Sequence, residues 1–364
     1  MAITSLPATL TGTLASYVTG QTVMFRLDDA SSGSVLTSSI SPTPVPASGS
    51  VSFSVTIPAG VLNGNHTVYA VGSLGTQTSG GITVSVPDTT PPTVSAAIIN
   101  KSSGNIPGYL KQGGQYYVYA TVTDPGIYAT GIASVTADVS NITTGTTAAA
   151  MTAGSYTVAG VSYNYRSSSL TANAVLLAGS KSFTITAKDV ANNSTTQGGF
   201  SVTVDNTAPA ASDIQTANVS GGTNGLAETG DAMTFTFSEP IDPNSVIAAW
   251  DGAATTVTFR LNDGGSANDT VTVYDAANTT QLPLGSVNLG RKDYTGSNIS
   301  FSSSTMVMSG STITITLGTP SGTPTTAANT SGMTWTPSAT ATDRAGNSCS
   351  TTAKSETGTA DKDY

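Results

Sequence analysis

Runs in which an apolar residue alternates with Thr or Ser recur along the whole chain, and a period of two admits strands and little else. Residues 22–27, 51–57, 64–71 and 81–86 follow it, and so do 116–122, 133–139, 182–187 and 200–204. It returns at 232–237, 257–261, 270–274 and 311–317. β-branched residues dominate these runs, and Gly, Pro, Asn or Asp breaks them at roughly the 8–12 residue spacing of a β-sandwich. Only 243–250 reads as a short helical turn. The expectation is an all-β chain of tandem β-sandwiches.

Composition supports this reading over its one rival, disorder. The chain holds 38 Gly and 17 Pro, and only 9% of its 364 residues are charged. Ordinary globular chains carry about 25% charged residues, so hydroxyls and backbone keep this surface wet. A disordered chain has no reason to keep apolar residues in period-two register, and this one keeps them throughout.

Two similar marks divide the sequence. Asp88-Thr89-Thr90-Pro91-Pro92 follows one strand-like run, and Asp205-Asn206-Thr207-Ala208-Pro209 follows another. Prolines hold such segments extended and semi-rigid. The expected modules are therefore 1–87, 88–204 and 205–364, each long enough for a sandwich with insertions.

At these positions the chain resembles tandem bacterial and phage immunoglobulin-like (Ig-like) domains. Ala187-Lys188-Asp189-Val190-Ala191-Asn192-Asn193 and Ala341-Thr342-Asp343-Arg344-Ala345-Gly346-Asn347 are similar to the A-x-D-x-A-G-N hairpin of adhesin-type repeats. The first copy departs from it at Asn192, which stands where the turn glycine belongs, although Asn tolerates a left-handed backbone. The linkers at Asp88 and Asp205 resemble the D-x-T-x-P segment that joins such repeats. Residues 230–242, with Phe237-Ser238-Glu239-Pro240 at their centre, are similar to the opening of S-layer-type Ig-like domains. Gly64-Asn65-His66-Thr67-Val68-Tyr69-Ala70 resembles strand F of such modules. The resemblance implies a fold; spacers, adhesins and virion decorations share it alike.

In the resembled repeats the hairpins and linkers meet at module junctions and bind calcium. Asp88, Asp189, Asn192, Asn193, Asp205, Asp343 and Asn347 are the candidate ligands, with Asp88 facing the second module's turns and Asp205 the third's. A hard cation takes oxygen from carboxylates, amides and carbonyls. The plainer reading is that Asp189 and Asp343 only cap their own turns. The oxygen-rich stretch 262–269 lacks calcium-loop spacing and reads as a hairpin loop.

Catalysis finds little support, and the chain reads as a non-enzyme. His66 is the sole histidine, so a Ser-His-Asp triad would need it, and it reads as a structural residue at a strand entry. Asp28-Asp29 and Glu239 with Asp242 are the carboxylate pairs that could do acid–base work, but no cleft-forming sequence surrounds them. Cys349 is the single cysteine and excludes an internal disulfide. The net charge is -9 with scattered basic residues, which argues against nucleic acid. No apolar run reaches the roughly 20 residues of a membrane-spanning helix, so no membrane insertion is expected.

Tyrosines concentrate in the second module. Tyr109, Tyr117, Tyr119 and Tyr128 are its candidate contacts to a protein or glycan, since Tyr joins a large rigid face to a polar end. Alternate tyrosines of a strand also simply cover its sheet. Trp250 and Trp335 would mark a carbohydrate-binding accessory module if exposed, and both have plausible core roles.

No secretory leader is visible in the first residues, so none is expected, yet the composition is that of an extracellular protein. Both fit a structural virion protein of a tailed phage, in capsid decoration or the tail. Its expected partners are a capsid or tail protein of the same particle and a host-surface glycan or protein, with homo-oligomerisation on the particle. The first module is the candidate for docking, through apolar and hydrogen-bonding strand edges. The alternative is a bacterial cell-surface adhesin or S-layer protein.

Overall fold

The computed structural model describes residues 1–364 except Ser103, Asn105, Asp361 and Asp363. Its regular elements are strands and one 3-10 turn.

Eight strands build the first module: β1 (Ala2–Ile3), β2 (Ala8–Leu14), β3 (Val23–Leu27), β4 (Ser34–Leu36), β5 (Ser38–Ser41), β6 (Val51–Ile57), β7 (Gly64–Gly72) and β8 (Gln77–Val84). One sheet has the order β1-β8-β7-β3-β4 and the other β2-β6-β5. These are the C-F-G and B-E-D layers of an Ig sandwich, with β1 joining the last strand in parallel. Alternation explains the packing. In β6 the inward Val51, Val55 and Ile57 are fully buried, and they meet Phe25, Val68 and Ile82 of the facing layer.

Nine strands follow: β9 (Thr93–Lys101), β10 (Tyr109–Leu110), β11 (Gln115–Thr123), β12 (Ile132–Asp138), β13 (Ala149–Val158), β14 (Val161–Ser167), β15 (Leu170–Thr171), β16 (Gly179–Asp189) and β17 (Ser194–Val204). Their order is β10-β17-β16-β12-β13-β14-β11-β15, with β9 on β11. The start of β13 pairs with β12 and the rest with β14, so one strand carries the chain from one layer into the other. Again a short early strand, β10, lies parallel to the last, β17.

The third set is β18 (Ala211–Ala217), β19 (Ala232–Phe237), β20 (Thr255–Asn262), β21 (Thr270–Asp275), β22 (Ser286–Asn288), β23 (Ile299–Ser309), β24 (Thr312–Thr316), β25 (Thr319–Pro320), β26 (Thr334–Thr336) and β27 (Lys354–Ser355). They form one continuous sheet around one core. The expected helical turn is a single 3-10 turn, Pro243–Ser245, capped by Asp242. Both tryptophans lie in this core. Trp335 is fully buried, edge-on to Phe235 and Phe237, and its indole N–H donates to the Leu284 carbonyl at 2.6 Å. Trp250 is 8% exposed. Neither offers a face to a sugar.

By density of internal contacts the chain divides into two compact units: residues 1–95, 122–135 and 186–196, and residues 96–121, 136–185 and 197–364. Each unit holds one linker together with the loops that meet it.

Within the second unit two lysines bind the loops of the third sheet. Lys101 Nζ lies 2.9 Å from Asp242 Oδ2 and donates to the Arg344 carbonyl at 2.6 Å. Lys111 Nζ donates to the Gly346 carbonyl at 2.5 Å.

Candidate functional site

The two hairpins are near copies of one another. In the first, Asn192 N–H donates to the Asp189 carbonyl, and Asp189 N–H to the Asn193 carbonyl. In the second, Gly346 N–H donates to the Asp343 carbonyl, and Asp343 N–H to the Asn347 carbonyl. The fourth residue of each takes a left-handed backbone, with φ of 75° at Asn192 and 91° at Gly346. This answers the departure at Asn192: Asn accepts that conformation and most side chains do not. Gly346→Ala should therefore destabilise the third module by about 1–2 kcal/mol, whereas Asn192→Gly should leave the second nearly unchanged; paired urea melts check both.

The linkers repeat as well. Asp88 Oδ1 accepts from Thr90 N–H at 3.0 Å, and Asp205 Oδ1 from Thr207 N–H at 3.0 Å. Asp88 also accepts from the backbone and hydroxyl of Thr130. The backbone N–H groups of Thr90 and Thr130 hold its carboxyl below the usual carboxylate range.

Each linker meets its hairpin through an asparagine. Asn193 Nδ2 donates to the Asp88 carbonyl at 3.1 Å and to Asp189 Oδ2 at 2.8 Å. Asn347 Nδ2 donates to the Asp205 carbonyl at 2.9 Å and to Asp343 Oδ2 at 2.7 Å. A backbone carbonyl only accepts, so each amide must present its nitrogen. Asn193 and Asn347 thus brace the carboxylates instead of adding an oxygen beside them. Asn192 is exposed at its turn and shapes the backbone.

A third acid completes each group. Asp124 joins Asp88 and Asp189, and Glu239 joins Asp205 and Asp343; in each trio one oxygen per carboxylate lies within 4.8 Å of the others. Asp189 and Asp343 are 1% exposed. Asp124 Oδ1 and Glu239 Oε1 are shut off from solvent and have no hydrogen-bond partner among the described residues. Burial, then the charges of Asp205 and Asp343, push the Glu239 carboxyl up to about 7. Crowded carboxylates with an unsatisfied oxygen form the kind of donor set that a hard divalent cation takes. Zinc would want nitrogen or sulfur ligands, which neither group has.

Neither Asp124 nor Glu239 was expected as a ligand. The available signal was local: Thr123-Asp124-Pro125 and Ser238-Glu239-Pro240 each place an acid-proline pair just after a strand. Glu239 does not pair with Asp242, whose carboxylate faces Lys101. Asp28 and Asp29 also have separate tasks. Asp29 accepts from Ser31 and Ser32, and Asp28 holds His66.

His66 Nδ1 lies 2.8 Å from Asp28 Oδ2, and Nε2 donates to the Leu62 carbonyl at 2.9 Å. The hydrogen bond to Asp28 raises the imidazole pKa above its ordinary value. The charged His66 thus stabilises the fold below pH about 6.5, and this contribution is lost as pH rises through the raised folded-state value. With a single histidine, one NMR titration reads it directly. Asp28→Asn, which tolerates the left-handed backbone at that position (φ 66°), should return the midpoint toward 6.5.

Other oxygen-rich features are structural. Asp269, at the end of the 262–269 stretch, is fully buried and accepts from the N–H groups of Gly264, Tyr294 and Thr295. Cys349 is buried, and burial pushes its thiol up to about 11, which makes it a poor nucleophile.

The four candidate tyrosines do not converge. Tyr117 and Tyr119 share an outward sheet face with Tyr156 and Tyr163, where the Arg166 guanidinium sits 4.8 Å from the Tyr117 ring centre and 4.6 Å from that of Tyr156. Tyr109 lies on the edge strand β10 with Arg344 at 5.8 Å. Tyr128 donates its hydroxyl to the Val61 carbonyl at 3.1 Å.

No protein-family model matches the chain, and no curated protein sequence is similar to it. Among solved structures it is similar to a titin three-Ig segment carrying an E-to-A change, at 11% identity over 98% of this chain and 92% of that one, with a TM-score of 0.24. A second titin segment matches at 12% identity over 90% and 95%, with a TM-score of 0.22. The protocadherin PcdhgB3 segment EC1-4 matches at 11% over 98% and 72%, with a TM-score of 0.26. The Ig-like assignment stands on strand order and not on these distant likenesses. The protein is a string of tandem Ig-like β-sandwiches.

Proposed function

We propose that this chain is a non-enzymatic structural and adhesive protein of a particle surface, a tailed-phage capsid decoration or tail appendage, whose linkers are stiffened by calcium. The observation that carries this reading is the duplicated trio: Asp88, Asp124 and Asp189 at one linker, and Asp205, Glu239 and Asp343 at the next. A cation bound there ties a linker acid to two loops of the module that follows, which turns an extended segment into a fixed joint. Stiffened linkers suit a projecting spacer. A hydroxyl-rich surface with few charges suits exposure on a particle.

No reaction is assigned to the carboxylates. They sit at linkers with their neighbours' N–H groups, and the only histidine is held at both ring nitrogens. The expected partners are a shell or tail protein and a host-surface glycan or protein. Mass spectrometry of purified particles, with antibody labelling in the electron microscope, tests the assignment. Labelled particles support it; label confined to bacterial envelopes would replace it with a cell-surface adhesin or S-layer role.

A further inference from the structure

One sheet face of the second module carries a cation without a counter-charge. Strands β9, β11, β13 and β14 hold two charged residues, Lys101 and Arg166, and Lys101 is taken by Asp242. Arg166 is half-buried against the rings of Tyr117 and Tyr156. Among the described residues no carboxylate forms an ion pair with it and no acceptor bonds its guanidinium. Arg260 shows the ordinary arrangement. It stacks on Tyr274 at 3.5 Å and also donates to the side chain and the carbonyl of Asn278. Arg166 stacks and leaves its planar fork of donors free for whatever meets the face.

The backbone is shaped to hold this stack. Tyr156 lies back along its own strand, its hydroxyl donating to the Thr152 carbonyl at 3.3 Å, and Thr152 stands opposite Arg166 in the ladder. Gly154 permits this, because a Cβ there would fall 2.7 Å from Tyr156 Oη. On the other flank Tyr119 stands opposite Arg166. Its buried ring touches both partners, with centres 6.3 Å from Tyr117 and 6.2 Å from Tyr156. The rings that hold the guanidinium are thus themselves held.

Three properties choose the ligand. A guanidinium fork pairs in plane with a carboxylate or a phosphate. One cation in a chain of net charge -9 matches a single negative charge and disfavours a polyanion; a carboxylate brings one charge, a phosphate monoester nearly two. The neighbouring tyrosines join apolar rings to polar tips, which suits the C–H face and hydroxyls of a sugar. Strand β14 also lies between β13 and β11, so no strand edge is free beside Arg166 to hold a peptide main chain.

We propose that this face binds an acidic sugar, a pyranose bearing one carboxylate, with the carboxylate on the Arg166 fork and the ring beside Tyr117 and Tyr156. This names the class of glycan within the proposed function, and rests on that reading only for where the sugar comes from.

The test is an NMR titration of the full chain with methyl β-glucuronide, and with methyl β-glucoside as the neutral control. The glucuronide should shift the Arg166 Nε–H resonance and bind at least about tenfold tighter than the glucoside. Arg166→Gln should abolish that preference, and Arg166→Lys, which keeps the charge but not the fork, should lose most of it. Gly154→Ala, which forces the Tyr156 ring off the guanidinium, should weaken the glucuronide several-fold with the circular dichroism spectrum unchanged. Equal affinity for the two sugars, or no binding of either at millimolar concentration, would overturn the site. Tighter binding of N-acetyl-Ala-Glu-Ala-amide than of the glucuronide would overturn the choice of a sugar. Glucuronide binding by a chain whose antibody labels only bacterial envelopes would fault the particle assignment and leave the site standing.

Discussion

Replacing Lys101 by Met is expected to destabilise the chain by about 3–5 kcal/mol, the usual cost of removing one partner from a buried ion pair. Lys101 is 8% exposed and Asp242 is 2% exposed. Without the ammonium, the Asp242 carboxylate keeps, among the described residues, only its cap from Asn244 N–H at 3.1 Å, and the Arg344 carbonyl loses the Lys101 donor. Lys101→Met with Asp242→Asn removes both charges and should recover much of the loss. Lys111→Met, which gives up one bond to a carbonyl, should cost less, about 1.5–3 kcal/mol. Urea unfolding of the three variants checks the order; a Lys101→Met loss below that of Lys111→Met would show that the buried pair does not hold these loops.

The second large effect is cation binding. At calcium a hundredfold above its dissociation constant, each linker site should add about 2.7 kcal/mol, so chelator should lower the melting temperature and excess calcium restore it. Asp189→Asn and Asp343→Asn should each remove part of that gain. The ion-free chain carries a pH signature of its own. The Glu239 carboxyl is pushed up to about 7, from an ordinary 4.5. The folded state therefore holds a proton that the unfolded state has released. Its stabilisation is complete below about 4.5 and is lost as pH rises through about 7. Glu239→Gln should flatten that slope in chelator. In calcium the sign reverses, because the ion binds the ionised carboxylate.

The fold was legible wherever alternation was clean. The runs at 51–57 and 232–237 are strands β6 and β19 to the residue. Strand β13 was illegible because Ala, Gly and Ser fill it and its only buried residues are Met151 and Val158. Strand β23 was hidden by a serine run that carries a bulge: Ser303 takes a φ of 57°, and Ser304 turns inward to bond the Phe301 carbonyl and Gly318 N–H.

At the linkers, the four aspartates lay in motifs that could be read. Asp124 and Glu239 did not, since only the fold brings the end of a strand beside a hairpin 65 or 104 positions further on. The orientation of Asn193 and Asn347 was out of reach too, because it depends on which carbonyl each amide faces.

Equilibrium dialysis against radioactive calcium tests the central claim most directly. Two ions should bind per chain, one in Asp189→Asn, one in Asp343→Asn and none in the double variant. A chain that retains no calcium at millimolar concentration, with all variants alike, would mean that these carboxylates only shape their turns.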